Sequence, residues 1–454
     1  MLNLPQLIQK YSVPVPRYTS YPTVPYWEID GFTTQRWITS VQEAFEESNQ
    51  KSGISLYIHL PYCESLCTYC GCNTRITKNH QVEKPYIKAV AKEWQLYKRL
   101  FKETPIIKEL HLGGGTPTFF SPEHLKALIE DILEGCTLHP NAEFSFEAHP
   151  ANTTQAHLET LYALGFRRLS LGIQDFDEKV QHIINRIQTE EQVKTVTQEA
   201  RSLGYSSINY DLIYGLPLQT LESLVTTMLK VVRLKPDRIA FYNYAHVPWL
   251  KPGQRMFTEA DLPQADLKQQ LYETGRDILI AHGYHEIGMD HFALKTDSLY
   301  QAQEQQHLHR NFMGYTHQYT QLMIGLGVSS ISDTWFAFAQ NVKKVEDYLQ
   351  LIEQERFPVF KGHFLNEEDV MMRTHILEMM CKGKTSWSPL ANTIPHFDEI
   401  IDRLAPLAAD GLIELERYSL KVTPLGKRFL RNICAAFDLK LHRNQPQQQI
   451  FSLG

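Results

Sequence analysis

The chain has 454 residues and a mass of 52.6 kDa, which is long enough for two or three domains. Apolar residues make up 43% and charged residues 21%, and this composition excludes a disordered chain, a collagen and a coiled-coil rod. The net charge of −6 argues against an extended nucleic-acid surface. No signal peptide precedes the body and no apolar run could span a bilayer, so we expect a cytoplasmic chain without a membrane span.

Strand-like runs alternate with helix-like runs through the first 282 residues. Predicted strands lie at 54–60, 107–112, 143–147, 168–173, 207–213 and 238–244. Predicted helices lie at 82–101, 122–134, 153–164, near 178, and at 190–203, 221–234 and 265–282. Six consecutive βα units predict a parallel sheet with helices outside it. Six units are too few to close a standard eight-unit barrel, so we predict a partial (β/α)6 barrel.

The pattern changes near residue 364. Helical periodicity over 367–381 and 400–409, a hairpin over 412–423 and a helix over 424–437 predict a mainly helical, winged-helix-like domain. We therefore predict three parts: an N-terminal segment, 1–50, that covers the site; the partial barrel with an extension, 51–363; and the C-terminal domain, 364–454. The acidic neighbourhood of the last part argues against DNA binding.

Four of the seven cysteines follow the first predicted strand within ten residues, at Cys63, Cys67, Cys70 and Cys72. In a reducing compartment such a group indicates a metal rather than disulfides, and thiolates suit iron–sulfur clusters or zinc. Cys70 and Cys72 would point apart on an extended backbone, so three ligands with one spare cysteine are easier to arrange. Three ligands leave one iron of a cubane cluster open. A zinc site or a fortuitous grouping is the alternative.

Further polar or glycine residues follow the next strands. His111-Leu-Gly-Gly-Gly-Thr-Pro-Thr follows the second strand, and glycines let a backbone approach an amino-acid head group closely. Glu147, Gln174 and Asp211 lie at the ends of strands three to five. Because the carboxyl ends of parallel strands share one edge, we expect a single site there.

The C-x₃-C-x₂-C loop, with Tyr69 before its third cysteine, resembles the signature of the radical S-adenosylmethionine superfamily. The chain as a whole resembles one family more closely, the oxygen-independent coproporphyrinogen III oxidases, also called dehydrogenases. Segments that resemble this family lie at 16–23, 70–73, 172–176, 211–217, 244–246, 288–292, 309–312, 327–332, 422–426 and 431–434.

The resemblance implies one [4Fe–4S] cluster on Cys63, Cys67 and Cys70, and two molecules of S-adenosylmethionine. Cys72, Tyr57 and Arg186 are implied to act in catalysis. The residues that match the first cofactor site are Tyr57, Gly114, Glu147, Ala245 and Ile331, and those that match the second are Tyr69, Gly115, Thr116, Gln174, Arg186 and Asp211.

The chain departs from the family at one point. The family often has Glu-Val-Asp-Pro where this chain has Glu147-Ala-His149-Pro. His149 is either a neutral hydrogen-bonding group or a charged group near an acidic substrate.

The implied reaction is the oxidative decarboxylation of two propionates of coproporphyrinogen III, which gives protoporphyrinogen IX through a 5′-deoxyadenosyl radical in haem biosynthesis. Implied partners are a flavodoxin- or ferredoxin-like electron donor and an unknown electron acceptor, and we expect a monomer. Arg17, His309 and Arg310 are candidates for binding the substrate's carboxylates. One alternative is a haem chaperone, a class that usually lacks the fourth cysteine and the Arg-Tyr-Thr-Ser-Tyr-Pro segment. Another is a radical S-adenosylmethionine methyltransferase or cyclopropanase.

Overall fold

A computed structural model describes residues 2–388 and 396–443. The helices are α1 (Leu4–Tyr11), α2 (Thr34–Ser52), α3 (Glu83–Lys98), α4 (Pro122–Leu133), α5 (Gln155–Ala163), α6 (Glu178–Ile183), α7 (Glu190–Leu203), α8 (Leu221–Leu234), α9 (Ala265–Ala281), α10 (Ser298–Glu304), α11 (Val345–Glu353), α12 (Glu367–Lys382), α13 (Phe397–Ala409), α14 (Leu430–Ala435) and α15 (Leu439–Arg443). The strands are β1 (Ile54–Leu60), β2 (Tyr62–Cys63), β3 (Arg75–Ile76), β4 (Ile106–Gly114), β5 (Thr137–Ala148), β6 (Phe166–Gln174), β7 (Ser207–Tyr214), β8 (Arg238–Asn243), β9 (Tyr284–Gly288), β10 (His291–Leu294), β11 (His309–Asn311), β12 (Gly314–Thr316), β13 (Met323–Leu326), β14 (Ile331–Asp333), β15 (Ala337–Asn341), β16 (Val359–Phe364), β17 (Lys384–Ser386), β18 (Ile413–Leu415) and β19 (Ser419–Val422).

One 12-stranded sheet, in the order β16-β15-β14-β13-β1-β4-β5-β6-β7-β8-β10-β9, forms the centre of the molecule. Its six predicted strands, β1 and β4 to β8, are all present and pair in parallel. The predicted bounds of α7 and α8 match the structure. The predicted partial (β/α)6 barrel is confirmed.

The sequence pattern did not predict the two extensions of this sheet. β13 joins β1 in parallel, and β14 to β16 continue from it in antiparallel order. At the other edge, β10 and β9 add antiparallel to β8. None of the described helices combines the length and the apolar character that crossing a membrane requires.

Each barrel strand has one apolar and one polar face, because successive side chains point to opposite sides of a sheet. In β1, Ile54, Leu56, Ile58 and Leu60 pack into the main apolar core with the outer helices. The alternate residues of the neighbouring strands face the barrel interior and are mostly polar. The barrel therefore encloses a polar space rather than a packed apolar core.

The C-terminal part is mainly helical, as predicted. The predicted hairpin is present as β18 and β19, and β17 adds a third antiparallel strand that was not predicted. The predicted last helix is shorter in the structure, where α14 begins only at Leu430 after a tight 3-10 turn. Residues 389–395 and 444–454 of this predicted domain lie outside the described part of the chain.

The N-terminal residues divide between two apolar cores. Leu7, Tyr18 and Tyr21 belong to the core of the C-terminal helices, whereas Trp37 and Phe45 of α2 belong to the core of the barrel. The first 50 residues therefore connect the two larger parts of the molecule. The boundaries at residues 50 and 363 stay predictions.

Candidate active site

A cavity of about 660 Å³ lies at the carboxyl edge of the parallel strands and extends into the barrel. Most of the predicted site residues line it, although they are spread over 149 positions of the sequence. These residues are Cys63, Cys67, Tyr69, Cys70, Cys72, Gly114, Gly115, Thr116, Glu147, Gln174, Arg186 and Asp211.

Hydrogen bonds hold the cysteine loop, 61–73, in place. β2 and β3 pair at its base. The backbone amide and the hydroxyl of Thr68 donate to the carbonyls of Ile184 and Ile183, both at 2.9 Å. Asn185 Nδ2 donates to the carbonyl of Leu66 at 2.7 Å. The end of α6 and the two residues after it therefore anchor the loop above the barrel.

Each of the three predicted ligand cysteines has a polar neighbour. Cys63 Sγ lies 3.3 Å from Thr116 Oγ1, and Arg186 Nη1 donates to Cys67 Sγ at 3.6 Å. The backbone amide of Cys72 donates to Cys70 Sγ at 3.4 Å. A hydrogen bond from the Cys72 thiol lowers the pKa of Cys70 to about 6, whereas burial raises the pKa of Cys63 to about 11.

These thiols suit an iron–sulfur cluster. Within residues 2–388 and 396–443, no three His, Cys, Asp or Glu side chains gather around a position for a single metal ion. A cubane cluster does not require such a gathering, because each cysteine binds a different iron. Three thiols that face one cavity match that donor arrangement. Cys70 and Cys72 do not point apart as expected, because the backbone turns here and brings the two thiols together.

The glycine loop lies directly against the cysteine loop. Gly115 N–H donates to the carbonyl of Leu60 at 2.8 Å, and Thr116 N–H donates to that of Tyr62 at 3.1 Å. A Cβ atom on Gly115 would lie 2.6 Å from the carbonyl oxygen of Pro61. The missing side chain at Gly115 therefore permits close packing of two loops, and its amide is already paired.

Two carboxylates, on β5 and β7 with β6 between them, make part of the cavity anionic. Glu147 accepts a hydrogen bond from Gly114 N–H at 3.2 Å, and its side chain is 44% exposed. Asp211 accepts hydrogen bonds from Ser170 and Asn209, both at 2.9 Å. Burial, with a smaller contribution from Glu147, raises the pKa of Asp211 to about 6. Such carboxylates can bind an ammonium group or ribose hydroxyls.

Arg186 links the end of β6 to the cysteine loop. Its Nε and Nη2 donate to the carbonyl of Gly172 at 3.1 and 2.5 Å, while Nη1 reaches Cys67. Burial and the nearby Arg186 charge lower the pKa of His149 to about 3. His149 Nδ1 accepts from the Ala151 amide at 3.1 Å, so the neutral alternative is favoured.

Three of the predicted site residues do not line the cavity. Tyr57 lies beneath the glycine loop, and its hydroxyl is 3.1 Å from His59 Nδ1. The side-chain amide of Gln254 donates to the backbone carbonyls of both Ala245 and Tyr69. Ile331 lies on β14, two strands away from β1. Their predicted roles stay predictions.

The polar floor of the cavity was not predicted. Glu143 pairs with Arg168 and lies 3.2 Å from His317 Nε2. Arg238 pairs with Asp297 at 2.6 Å. The charged residues within the predicted strands could have indicated this polar floor, because charged residues are rare in strands that are buried on both faces. The floor residues on the barrel strands that line the cavity are Glu109, Glu143, Arg168, Ser207 and Arg238.

The three candidates for substrate carboxylates have different environments. Arg17 reaches the end of β8, where it donates to the carbonyl of Asn243 at 3.1 Å. His309 lines a separate small cavity, and burial lowers its pKa to about 3, so it is not a cation near neutral pH. Arg310 is buried next to Tyr315, which lines the main cavity.

Comparisons with known proteins agree with this geometry. A profile of the Radical SAM superfamily matches residues 57–231. The chain is 39% identical to the oxygen-independent coproporphyrinogen III oxidase of Synechocystis sp., over 98% of this chain and 97% of the relative. It is 38% identical to the oxygen-independent coproporphyrinogen III oxidase of Escherichia coli, over 98% of this chain and 96% of the relative. The solved structure of coproporphyrinogen III oxidase (HemN) from Escherichia coli, described as a radical SAM enzyme, has a TM-score of 0.88 and 37% identity, covering 94% of this chain and 98% of that chain.

Proposed function

This chain belongs to the family of oxygen-independent coproporphyrinogen III oxidases, and we propose that it oxidises coproporphyrinogen III to protoporphyrinogen IX. Two propionate side chains become vinyl groups. Each propionate loses carbon dioxide, one hydrogen atom from the carbon next to the ring and one further electron.

One observation carries the proposal. The three cysteines, the glycine loop, Glu147 and Arg186 come from different βα units and line one cavity. This set provides thiolates for a cluster, together with carboxylate and guanidinium groups for an amino-acid cofactor. The similarity to the curated relatives extends over nearly the whole length of this chain and of theirs.

The proposal assigns the cofactors as follows. Cys63, Cys67 and Cys70 would hold a [4Fe–4S] cluster. Bound there, the cluster and S-adenosylmethionine supply the radical that removes hydrogen from the propionate. We propose two S-adenosylmethionine molecules, the first near Tyr57, Gly114, Glu147, Ala245 and Ile331, and the second near Tyr69, Gly115, Thr116, Gln174, Arg186 and Asp211.

The protein's own residues bind and orient. Glu147 receives an ammonium group, and its contact with Gly114 N–H sets the direction of its carboxylate. Arg186 presents a cation beside Cys67 and is fixed there by the carbonyl of Gly172. Asp211 is oriented by Ser170 and Asn209 toward ribose hydroxyls or a second ammonium group.

The partners and the location belong to the same proposal. A flavodoxin- or ferredoxin-like protein donates the electrons, and an acceptor of unknown identity removes them. We propose that the protein is a monomer. We also propose that it works in the cytoplasm, because cysteine ligands need a compartment that keeps thiols reduced.

The test is an anaerobic assay of purified, cluster-reconstituted protein with coproporphyrinogen III, S-adenosylmethionine and a reductant, read by product mass. We expect loss of two carboxyl groups, and about four irons and four sulfides per chain. Tetrapyrrole binding without conversion would favour a haem chaperone, and a methylated product would favour a methyltransferase. Cys67→Ser, which removes a proposed ligand, is the negative control.

A further inference from the structure

Arg310 is a buried cation with unsatisfied hydrogen-bond donors. Its relative exposure is 6%. Among the residues that the structure describes, neither Nε nor Nη1 of Arg310 has a hydrogen-bond partner. Its guanidinium stacks on the ring of Tyr315, with Cζ 4.5 Å from the ring centroid. A buried charge without an ionic partner is costly, and proteins seldom keep one.

Two other arginines of equal burial show the usual arrangement. Arg238 pairs with Asp297 at 2.6 Å, and Arg373 pairs with Asp333 at 2.5 Å. Their relative exposures are 4% and 5%. Arg310 is therefore about as buried as Arg238 and Arg373 but, unlike them, pairs with no carboxylate among the described residues.

Arg310 lies one side chain behind the wall of the main cavity. Tyr315, on which it stacks, lines the cavity together with Tyr242 and His291. The ring of His291 meets Tyr315 edge-on at 5.1 Å, and His291 Nε2 lies 3.4 Å from the hydroxyl of Tyr242. These three rings form one end of the cavity.

Two arginines, Arg310 and Arg17, lie close to this end of the cavity. Burial, followed by the charge of Arg310, lowers the pKa of His291 to about 3. The guanidinium of Arg17 lies 5.7 Å from the ring centroid of Tyr242, on the same wall. Arg17 is paired with Asp290, at 3.4 Å.

We propose that the cavity end formed by Tyr242, His291 and Tyr315 binds a carboxylate of the substrate, with Arg310 as its cationic partner. The inference rests on the proposed function, because coproporphyrinogen III carries four carboxylates and a reaction at one propionate leaves others to be held. Since Nε and Nη1 are enclosed by protein, the guanidinium must leave the Tyr315 ring and turn toward the cavity. The carboxylate then satisfies donors that the free protein leaves unpaired.

The test compares Arg310→Met with Arg373→Met. Methionine keeps an unbranched, flexible side chain of related length and removes the charge. Dissociation constants are measured anaerobically without S-adenosylmethionine, so that no turnover occurs, for coproporphyrinogen III and for its tetramethyl ester. Melting temperature and iron content are measured on the same samples.

We expect Arg310→Met to weaken binding of the acid by about tenfold or more and to leave binding of the ester unchanged. Its melting temperature should stay equal or rise, because an unpaired buried charge has been removed. Arg373→Met should lower the melting temperature, because it strands Asp333, and should leave both dissociation constants within about twofold of the wild type.

Three results would overturn the inference. In the first, Arg310→Met binds the acid within twofold of the wild type. In the second, acid and ester weaken by the same factor, which indicates packing and not charge. In the third, Arg310→Met loses melting temperature as Arg373→Met does, which makes Arg310 a structural residue. If the wild type converts coproporphyrinogen III, these results leave the proposed function standing. Failure of the wild type to bind or convert it overturns the proposed function, and this inference with it.

Discussion

At the scale of single residues, the cysteine loop carries the three predicted ligands, Cys63, Cys67 and Cys70, and a fourth thiol, Cys72. Cys72 is exposed and donates through its backbone amide to Cys70 Sγ at 3.4 Å. The adjacent Cys70 raises the pKa of Cys72 well above its usual value. Three thiols already suffice for a cluster with one open iron, so we predict that Cys72 takes part in a hydrogen or electron step and is not a ligand.

Cys72→Ser should therefore keep the iron of the wild type and lose most decarboxylation. Cys63→Ser, Cys67→Ser and Cys70→Ser should each lose the cluster. Iron and sulfide analysis beside product formation checks this, and Cys136→Ser, outside the cavity, serves as the control. If Cys72→Ser also empties the site of iron, all four cysteines are ligands and the open-iron arrangement is wrong.

We predict that Glu147 and Arg186 bind S-adenosylmethionine. Glu147→Ala removes a carboxylate from the cavity wall, and Arg186→Ala removes the cation beside Cys67. We expect both to lower reductive cleavage of S-adenosylmethionine to 5′-deoxyadenosine by about tenfold or more, since hydrogen bonds to charged groups contribute about 1.5–3 kcal/mol each.

The matched control is Glu159→Ala on the outer face of α5, an exposed carboxylate. Cleavage at the wild-type rate in both cavity variants would show that the cofactor pocket has been misplaced. Iron content should stay normal in Glu147→Ala, which separates a cofactor defect from loss of the cluster.

At the scale of elements, the two loops after β1 and β4 form one unit. Backbone hydrogen bonds from Gly115 and Thr116 to the carbonyls of Leu60 and Tyr62 join them. The register of β1 against β4 places these loops at the same level, because Leu60 pairs with Gly114. The proposed cofactor site therefore depends on close backbone contact between two neighbouring βα units.

Gly115→Ala tests this contact. Its Cβ would lie 2.6 and 2.9 Å from the carbonyl oxygens of Pro61 and Tyr62, and backbone atoms cannot easily move away. We expect a loss of about 1–3 kcal/mol in unfolding free energy, typical of overpacking, together with weaker S-adenosylmethionine binding.

Gly71→Ala is the control within the same cysteine loop, because nothing lies within 4 Å of its added Cβ. Urea unfolding and isothermal titration measure the two effects. Equal stability and equal cofactor affinity for both variants would mean that the loops are not in close contact.

At the scale of the whole molecule, the N-terminal residues hold the C-terminal helices to the barrel. Tyr18 donates to Asp438 Oδ2 at 3.1 Å, and Arg431 donates to the backbone carbonyls of Val15 and Pro16. Burial raises the pKa of Asp438 from 3.8 to about 6. The contact between the N-terminal segment and the C-terminal helices therefore includes a buried carboxyl group.

This carboxyl group makes stability depend on pH. The folded state retains the Asp438 proton up to about pH 6, whereas the unfolded state retains it only up to about pH 4. The stabilisation that this proton gives the folded state is therefore full below about pH 4 and is lost as the pH rises through about 6. Asp438→Asn cannot ionise, and its stability relative to the wild type should rise by about 1 kcal/mol between pH 5 and 7.5.

Urea unfolding at the two pH values measures that difference. Asp398→Asn, which changes an exposed carboxylate on α13, should give no such gain. A constant difference between Asp438→Asn and the wild type at both pH values would contradict the assignment.

Local patterns in the sequence determined the six barrel strands, the helices between them and the cysteine and glycine loops. Each of these depends on residues close in sequence: a two-residue period in strands, a 3.6-residue period in helices, and short spacings after strand ends. Because parallel strand ends share an edge, the meeting of the cysteine loop with Glu147, Gln174 and Asp211 followed from the same patterns.

Only the tertiary structure decided features that join residues far apart in sequence. The pairing of β13 with β1, the division of the first 50 residues between two cores, and the burial of Arg310 behind Tyr315 are such features. No local period encodes which distant strand, core or ring a residue meets, since packing among many elements sets those contacts at once. For the same reason the position of Tyr57 beneath the glycine loop, and not on the cavity wall, could not be deduced from its place in β1.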